Sequence, residues 1–236
     1  MKLSKRLKHI EQMVTLRYTH IWDCCCDHGF LGAALLKRNA ADKVHFVDIV
    51  PNLMVTLETH LNRLYPDVSS QWQTHCIDVA TLPLVDYQGT HLVIIAGVGG
   101  DLMNEFVSAI HRSHPDMEID FLLCPVHHQF VLREKLIEMA FSLKDEVLVE
   151  DNQRFYEIIL VSNRTNEQAP VSPVGEKIWH AYCDDQAHIT QRYLTKSLAH
   201  YSRIQRGNAA IGGHIIEAYQ AVTLNRNQMG LENSLG

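Results

Sequence analysis

No uninterrupted apolar run in this chain of 236 residues approaches the roughly 20 residues that a membrane-crossing helix needs. No membrane partner is therefore expected. The N-terminus, Met1-Lys2-Leu3-Ser4-Lys5-Arg6-Leu7-Lys8, is basic, but no apolar segment follows it, so it does not read as a secretory leader. The cytoplasm is the expected compartment. Paired cysteines are missing as well: the six cysteines include no Cys-x-x-Cys pair, and none lies near a histidine at zinc-finger spacing. Three of them, Cys24, Cys25 and Cys26, are consecutive and alternate in direction at a strand end, which places them poorly for pairing with one another. Small reduced thiols packed beside a strand are expected. His111, His114, His127 and His128 have no carboxylate or cysteine at ligand spacing, so no metal site is expected.

Positive charge is scarce too. The net charge of −6 has the wrong sign for a protein whose whole surface meets nucleic acid. Its distribution is uneven, however. The first 20 residues hold Lys2, Lys5, Arg6, Lys8 and Arg17 against Glu11 alone, so a local basic face is available. Hydrophobic residues make up 46% and charged residues 20%, ordinary values for a globular chain with room for one moderate domain and an appendage.

The pattern along the chain is alternating. Leu3, Leu7, Ile10 and Val14 recur at helical spacing. Strands are expected at 20–24, 44–48, 71–77, 92–96 and 119–124, with helices at 31–38, 51–64, 100–111 and 129–140. Runs 143–150 and 154–162, separated by Asp151-Asn152-Gln153, read as a hairpin. Five βα units closed by an antiparallel hairpin make an α/β fold with a seven-stranded, mainly parallel sheet. Residues 163–173 are polar, contain Pro170 and Pro173, and read as a linker. A helix is expected over 175–206, with Ile178, Tyr182, Ile189 and Tyr193 near one stripe and Gly207 as its stop. A second follows, with Ile211, Ile215, Ala218 and Val222 on one face, which together suggests a helical hairpin.

Glycine is short where it would be most telling. A dinucleotide fingerprint puts three glycines in the turn after the first strand. The segment Ile21-Trp22-Asp23-Cys24-Cys25-Cys26-Asp27-His28-Gly29-Phe30-Leu31-Gly32 offers only Gly29 and Gly32. Cys25 stands where the first glycine would be, and Asp27 puts negative charge at the phosphate position, so a pyrophosphate is disfavoured. Acids follow the first three strands: Asp23 and Asp27, Asp48, and Asp78. Ligands of doubly wound sheets bind at those carboxyl ends, where Asp48 can meet ribose hydroxyls and Asp78 an adenine amino group. A cofactor with adenosine, no phosphate, a sulfonium and an ammonium group suits such a loop.

Leu3-Ser4-Lys5-Arg6-Leu7, Asp23…Asp27-His28, Ile95-Ala96-Gly97-Val98-Gly99-Gly100 and Glu150-Asp151…Tyr156-Glu157-Ile158-Ile159 resemble the bacterial tRNA (adenine-22, N1) methyltransferase family. The resemblance spans about residues 3–162, and the helical pair beyond it resembles that family's coiled-coil extension. It implies a Rossmann-like methyltransferase domain at 1–162, a linker at 163–174, a helical hairpin at 175–228 and a tail at 229–236. The implied cofactor is S-adenosylmethionine and the implied partner tRNA. By position, the resemblance puts Asp23, Cys25, Asp27 and Gly29 at the methionine end of the cofactor. It puts Asp48 and Ile49 at the ribose, Asp78 and Val79 at the adenine, and Ala96, Gly97 and Gly99 along the turn after the fourth strand. Asp27 and His28 are the implied catalytic pair, and Lys5, Arg6, Gly100 and Arg133 candidate tRNA contacts. The chain departs from the family pattern at Cys25, Gly29, Gly32, Val98 and Cys124-Pro125-Val126. Another substrate for the same fold, or a binding module without catalysis, remains an alternative.

Overall fold

Ser4 caps the first helix, α1 (Lys5–Met13), its hydroxyl accepting from the Leu7 amide at 3.3 Å. The computed structural model describes residues 3–164, 169–207 and 213–226. After α1 come β1 (Tyr18–Cys24), α2 (Phe30–Lys37), β2 (Ala41–Asp48) and α3 (Pro51–Leu64), which carries its proline at the first turn, where no amide partner is lost. The chain continues through β3 (Trp72–Cys76), β4 (His91–Ala96), α4 (Gly100–Ser113), β5 (Ile119–Cys124) and α5 (Gln129–Glu138). The hairpin β6 (Ser142–Asp151) and β7 (Arg154–Ser162) follows. Short 3-10 turns at Pro66–Gln71, Val79–Thr81 and Leu84–Asp86 lie where the periodicity predicted only connections.

The seven strands lie in the order β3-β2-β1-β4-β5-β7-β6. The first five are parallel, and β7 runs antiparallel to both β5 and β6. Alternate residues divide between two cores. Ile21, Val44, Phe46, Leu92, Ile94 and Leu122 pack with α1, α2 and α3. Trp22, Val47, Val93, Ile95, Phe121 and Leu123 pack with α4 and α5. The sheet is therefore covered on both faces, which is why its central strands read as continuous apolar runs.

Arg133 is not on the surface. It projects from α5 into the core, fully buried, with Nε 2.6 Å from Glu157 on β7 and Nη2 2.6 Å from Glu146 on β6. The expectation that it meets a phosphate backbone is thus corrected. Burial of a guanidinium is tolerated here because two carboxylates meet its planar fork; removing one partner of such a set typically costs about 3–5 kcal/mol.

Two compact units divide the chain, Met1–Val171 and Ser172–Gly236. Part of the expected linker, 165–168, lies outside the described residues, and its end belongs to the sheet. Leu143 donates its amide to the Ala169 carbonyl at 2.8 Å, Pro170 bridges to Ser142, and Val171 is buried. In the second unit the long helix begins later than its periodicity predicted. Gly175 takes a left-handed φ of 79°, and the Trp179 indole donates to the carbonyls of Val174 at 2.9 Å and Gly175 at 3.1 Å. That local closure holds Ile178 and Trp179 in a 3-10 turn, leaves Tyr182 exposed, and delays α6 to Asp184–Gly207. The second helix, α7, spans Gly213–Gln220; Ile211 and the expected tail lie outside the described residues. His180–Ala181 (β8) pairs in parallel with Asn225–Arg226 (β9). No described helix is long and apolar enough to cross a membrane.

One layer of the sheet is built of imidazoles. His20 Nε2 lies 3.2 Å from the Gln88 carbonyl, which can only accept, so that nitrogen carries the proton. His20 Nδ1 must then accept from His45 Nε2 at 3.0 Å, and His45 Nδ1 from His75 Nε2 at 2.9 Å. Separately, the Trp22 indole donates to His91 Nδ1 at 3.2 Å, leaving His91 Nε2 to donate to the Tyr87 carbonyl at 2.9 Å. Every bond is satisfied with all four rings neutral, and a second proton on Nδ1 of His20, His45 or His91 removes the acceptor that the neighbouring donor needs. Burial, followed by the neighbouring imidazoles, pushes His45 down to about 2; burial, followed by His20, pushes His91 down to about 4.

The unfolded chain protonates these two rings as pH falls through 6.5, while the folded chain does not. The stability present above pH 6.5 is therefore lost by about 2 kcal/mol per ring at pH 5. Asp23, buried on the other face and pushed up to about 7, works in the opposite sense and returns about 2 kcal/mol over that range. His20 and His75, also pushed down by burial, add to the loss, so a net decline in stability between pH 7 and 5 is expected. Nitrogen-15 shifts of His45 and His91 should keep the neutral Nε2–H pattern at pH 5, and imidazolium shifts there would contradict the array.

Candidate functional site

β1 and β4 are hydrogen-bonded neighbours, with Cys24 opposite Ile95, yet the chain leaves β1 toward β2 and leaves β4 toward β5. Their carboxyl ends therefore open a crevice at the point where strand order reverses. Two loops fill it: residues 25–29 and the turn Gly97–Gly99.

The first loop is wound tightly. Cys25, Asp27 and Gly29 all take positive φ, at 55°, 50° and 67°. The Cys26 amide donates to the Val47 carbonyl at 3.1 Å and the Gly29 amide to the Cys26 carbonyl at 2.7 Å. Glycine is required at two places. A Cβ on Gly29 would lie 2.6 Å from Leu57 Cδ1, and one on Gly32 would lie 2.4 Å from the Phe46 ring. Asp23 accepts the Gly32 amide at 2.8 Å and so ties the end of β1 to the first turn of α2. Asp48 accepts from Asp27 N and Val50 N, both at 3.1 Å, fixing the loop to the end of β2.

A cavity of about 290 Å³ opens over this loop. Of the residues singled out in the sequence as cofactor or catalytic candidates, Asp23, Cys25, Asp27, His28, Ala96 and Gly97 line it; Arg6, Leu7 and Phe30 line it too. Asp48 reaches the site through its bond to Asp27 N. Asp78 accepts the Ala80 amide at 2.8 Å as the cap of a 3-10 turn, Val79 is buried and Ile49 is exposed; these three lie outside the cavity lining. Gly99 starts α4 as its cap residue, and the Gly100 amide donates to the His127 carbonyl at 2.9 Å. Lys5 is exposed on α1.

The electrostatics are one-sided. Burial and then the charge of Asp48 push Asp23 up to about 7, while the Gly32 amide pulls the other way. Burial pushes Cys25 up to about 12, and Asp48, Asp23 and Asp78 each add to it. Cys25 is therefore a neutral thiol, not a nucleophile, at physiological pH. Arg6 is the one permanently cationic side chain among the cavity's lining residues. It is held in place: its amide donates to Asp151 Oδ2 at 3.0 Å, its guanidinium lies 4.9 Å over the Tyr156 ring, and its charge opposes the upward push that burial gives the Cys124 thiol. Its position in the basic N-terminal run was visible in the sequence. Its direction was not, because Asp151 and Tyr156 come from the hairpin far along the chain.

His28 is exposed, stacks on Phe30 at 5.5 Å between ring centres and lies 3.7 Å from Asp27 Oδ1. The pair lines the cavity and is exposed, within reach of an entering group. A cavity lined by Asp23, Asp27 and one held guanidinium suits a zwitterion attached to an uncharged or cationic body. It does not suit a pyrophosphate.

Residues 3–159 match the family model described as a methyltransferase domain. Among solved structures, M. capricolum TrmK in complex with S-adenosyl-homocysteine is 16% identical, with a TM-score of 0.73, covering 93% of this chain and 97% of that one. The B. subtilis M1A22 tRNA methyltransferase TrmK is 18% identical, with a TM-score of 0.64 and 93% of each chain covered. The magnesium protoporphyrin IX methyltransferase of Synechocystis PCC 6803, solved with bound SAM, is 16% identical over 66% of this chain and 79% of its own, with a TM-score of 0.52. At these identities the likenesses show the fold. No curated protein sequence matches the chain.

The loop's strain can be tested by substitution. Cys25→Gly relieves a left-handed non-glycine residue, worth about 1–2 kcal/mol, against a chain-entropy cost of about 0.5–1 kcal/mol. Its urea-unfolding stability should stay within about 1 kcal/mol of the parent. Gly29→Ala, which adds both strain and a clash with Leu57, should cost about 1–3 kcal/mol. Equal losses in the two variants would show that the Cys25 thiol, not the backbone, shapes the loop.

Proposed function

The chain belongs to the methyltransferase domain family, and on that premise we propose that it methylates N1 of an adenine in tRNA with S-adenosylmethionine as cofactor. The observation that carries the reading is the cavity at the β1–β4 reversal: acidic, without a phosphate cradle, and provided with one guanidinium. Asp23, which burial has left near neutrality, stands ready to ionise beside the ammonium of a methionine tail. Arg6 would take its carboxylate, a role in place of the tRNA contact first expected. Asp48 would hold the ribose, with Ile49 beside it, and Asp78 with Val79 the adenine. When bound, the cofactor supplies an electrophilic methyl on sulfonium.

The demands on the protein are then modest. Adenine N1 carries a lone pair at neutral pH, so no base has to remove a proton before attack. The base must be drawn from its stack, held in line with the methyl, and relieved of the positive charge that develops on its ring. Asp27, exposed at the cavity mouth with its backbone pinned by Asp48, is suited to accept from the exocyclic amine, and His28 to accompany it. Gly97, with nothing within 4 Å of where its Cβ would be, leaves room for the base.

That M. capricolum and B. subtilis TrmK structures share the fold across both units, one described as an M1A22 tRNA methyltransferase, supports tRNA as the substrate. In this reading residues 1–162 catalyse, the α6–α7 pair of 175–228 is a coiled-coil-like arm for tRNA, Lys5 and Gly100 contribute contacts, and the protein works in the cytoplasm.

Incubation with labelled S-adenosylmethionine and bulk tRNA, followed by nucleoside analysis, should yield N1-methyladenosine. Label transferred elsewhere would remove the adenine claim, and no transfer to tRNA at all would remove the substrate claim. The cofactor assignment has its own test. Arg6→Ala should weaken S-adenosylhomocysteine binding by about 1.5–3 kcal/mol, roughly 10- to 150-fold, and leave 5′-methylthioadenosine, which lacks the amino-acid tail, unaffected by calorimetry. Equal losses for both ligands would mean that Arg6 shapes the cavity without touching the carboxylate.

A further inference from the structure

Beside the crevice, on the β4–β5 side, three side chains converge that the cofactor cavity does not use. Asp101, in the first turn of α4, meets His127 and His128 from the loop between β5 and α5. Each offers one ligand atom, and the three atoms lie within 4.8 Å of one another. His128 Nδ1 and Asp101 Oδ2 are already in contact. In the sequence Asp101 and His128 stand 27 residues apart, which is why no ligand spacing was visible there.

The backbone around the three is shaped to bring them together. A Cβ on Gly99 would lie 2.2 Å from His127 Cε1, so the imidazole rests directly over the bare glycine. A Cβ on Gly100 would lie 2.4 Å from the His128 carbonyl oxygen. His128 itself takes a left-handed φ of 59°, an uncommon conformation for a non-glycine residue, and this turns the two consecutive rings so that their centres stand 4.3 Å apart. Two glycines and one strained residue thus hold a pair of imidazoles against a carboxylate.

We propose that Asp101, His127 and His128 form a binding site for a divalent transition-metal ion of the zinc, cobalt or nickel kind. Two imidazoles and one carboxylate suit these borderline ions, whereas magnesium and calcium prefer oxygen ligands throughout. All three residues are exposed, so further coordination positions remain open to solvent or to an entering oxygen ligand. The starts of α4 and α5 bring partial positive charge to the same place, which opposes a cation. The charge of Asp101 must offset it. That makes Asp101→Asn, which keeps an oxygen donor and loses only the charge, the sharpest variant.

The test uses full-length untagged protein and Co(II) as the probe, followed by visible absorption and by calorimetry. One equivalent should bind at submillimolar concentration, with d–d bands and no thiolate-to-metal band in the near ultraviolet. Affinity should fall at least tenfold in Asp101→Asn, His127→Gln and His128→Gln, each checked for an unchanged thermal midpoint without metal. Three outcomes would overturn the site: no saturable binding, binding indifferent to all three changes, or a thiolate band showing that the cysteines hold the ion. Cofactor binding is measured in parallel with S-adenosylhomocysteine, so failure of the methyltransferase reading is seen separately.

Discussion

Two strands that are bonded side by side and then lead away from each other leave a gap that the protein has to line. The divergence of the chain after β1 and β4 decides nearly everything at this edge of the molecule. The β1 loop turns back over Val47 and is anchored to β2 through Asp48, while the β4 turn is anchored to the loop after β5 through the Gly100 amide. The two anchors take up the backbone amides of Asp27 and Gly100. Asp23 and Asp27 line the gap, and burial keeps Asp23 near neutrality until a cation arrives. Arg6, brought in from α1 and steered by the hairpin, meets part of that requirement. The N-terminal helix and the antiparallel hairpin, peripheral as elements, are therefore joined to the chemistry at the centre of the sheet.

Much of this was legible in the chain itself, for a physical reason. Strands buried on both faces read as apolar runs, and helices that cover them show a stripe every three to four residues, so the order of elements follows from local pattern. The end of β5 at Cys124 and the start of β7 at Arg154 lie where the pattern put them. Acids at strand ends are also local signals, and Asp23, Asp27 and Asp48 do gather where such acids should.

Register and side-chain direction were not legible. Arg133 looked like any charged residue on a helix surface; only the pairing of β6 with β7 puts Glu146 and Glu157 beneath it. Arg6 looked like one cation in a basic run, and Asp101 like an acid in a first helical turn. Each acquires its meaning from a residue that is remote in sequence. Helical periodicity also failed where a local side-chain closure overrode it, as at Trp179, whose indole bonds to Val174 and Gly175 shape a turn in which apolar spacing alone suggested a continuous helix.

The imidazole layer has a consequence for how this protein can change. Each ring fixes the tautomer of the next: the Gln88 carbonyl orients His20, His20 orients His45, and His45 orients His75. Loss of any one member strands a donor or an acceptor on its neighbour, and the His20 and His45 rings at the head of the row are buried. Substitutions along this row must therefore be strongly epistatic, tolerated as a set and penalised singly. Descendants of this chain should keep the row whole or replace it at a stroke with apolar residues, and chains with one or two of its three histidines should be rare.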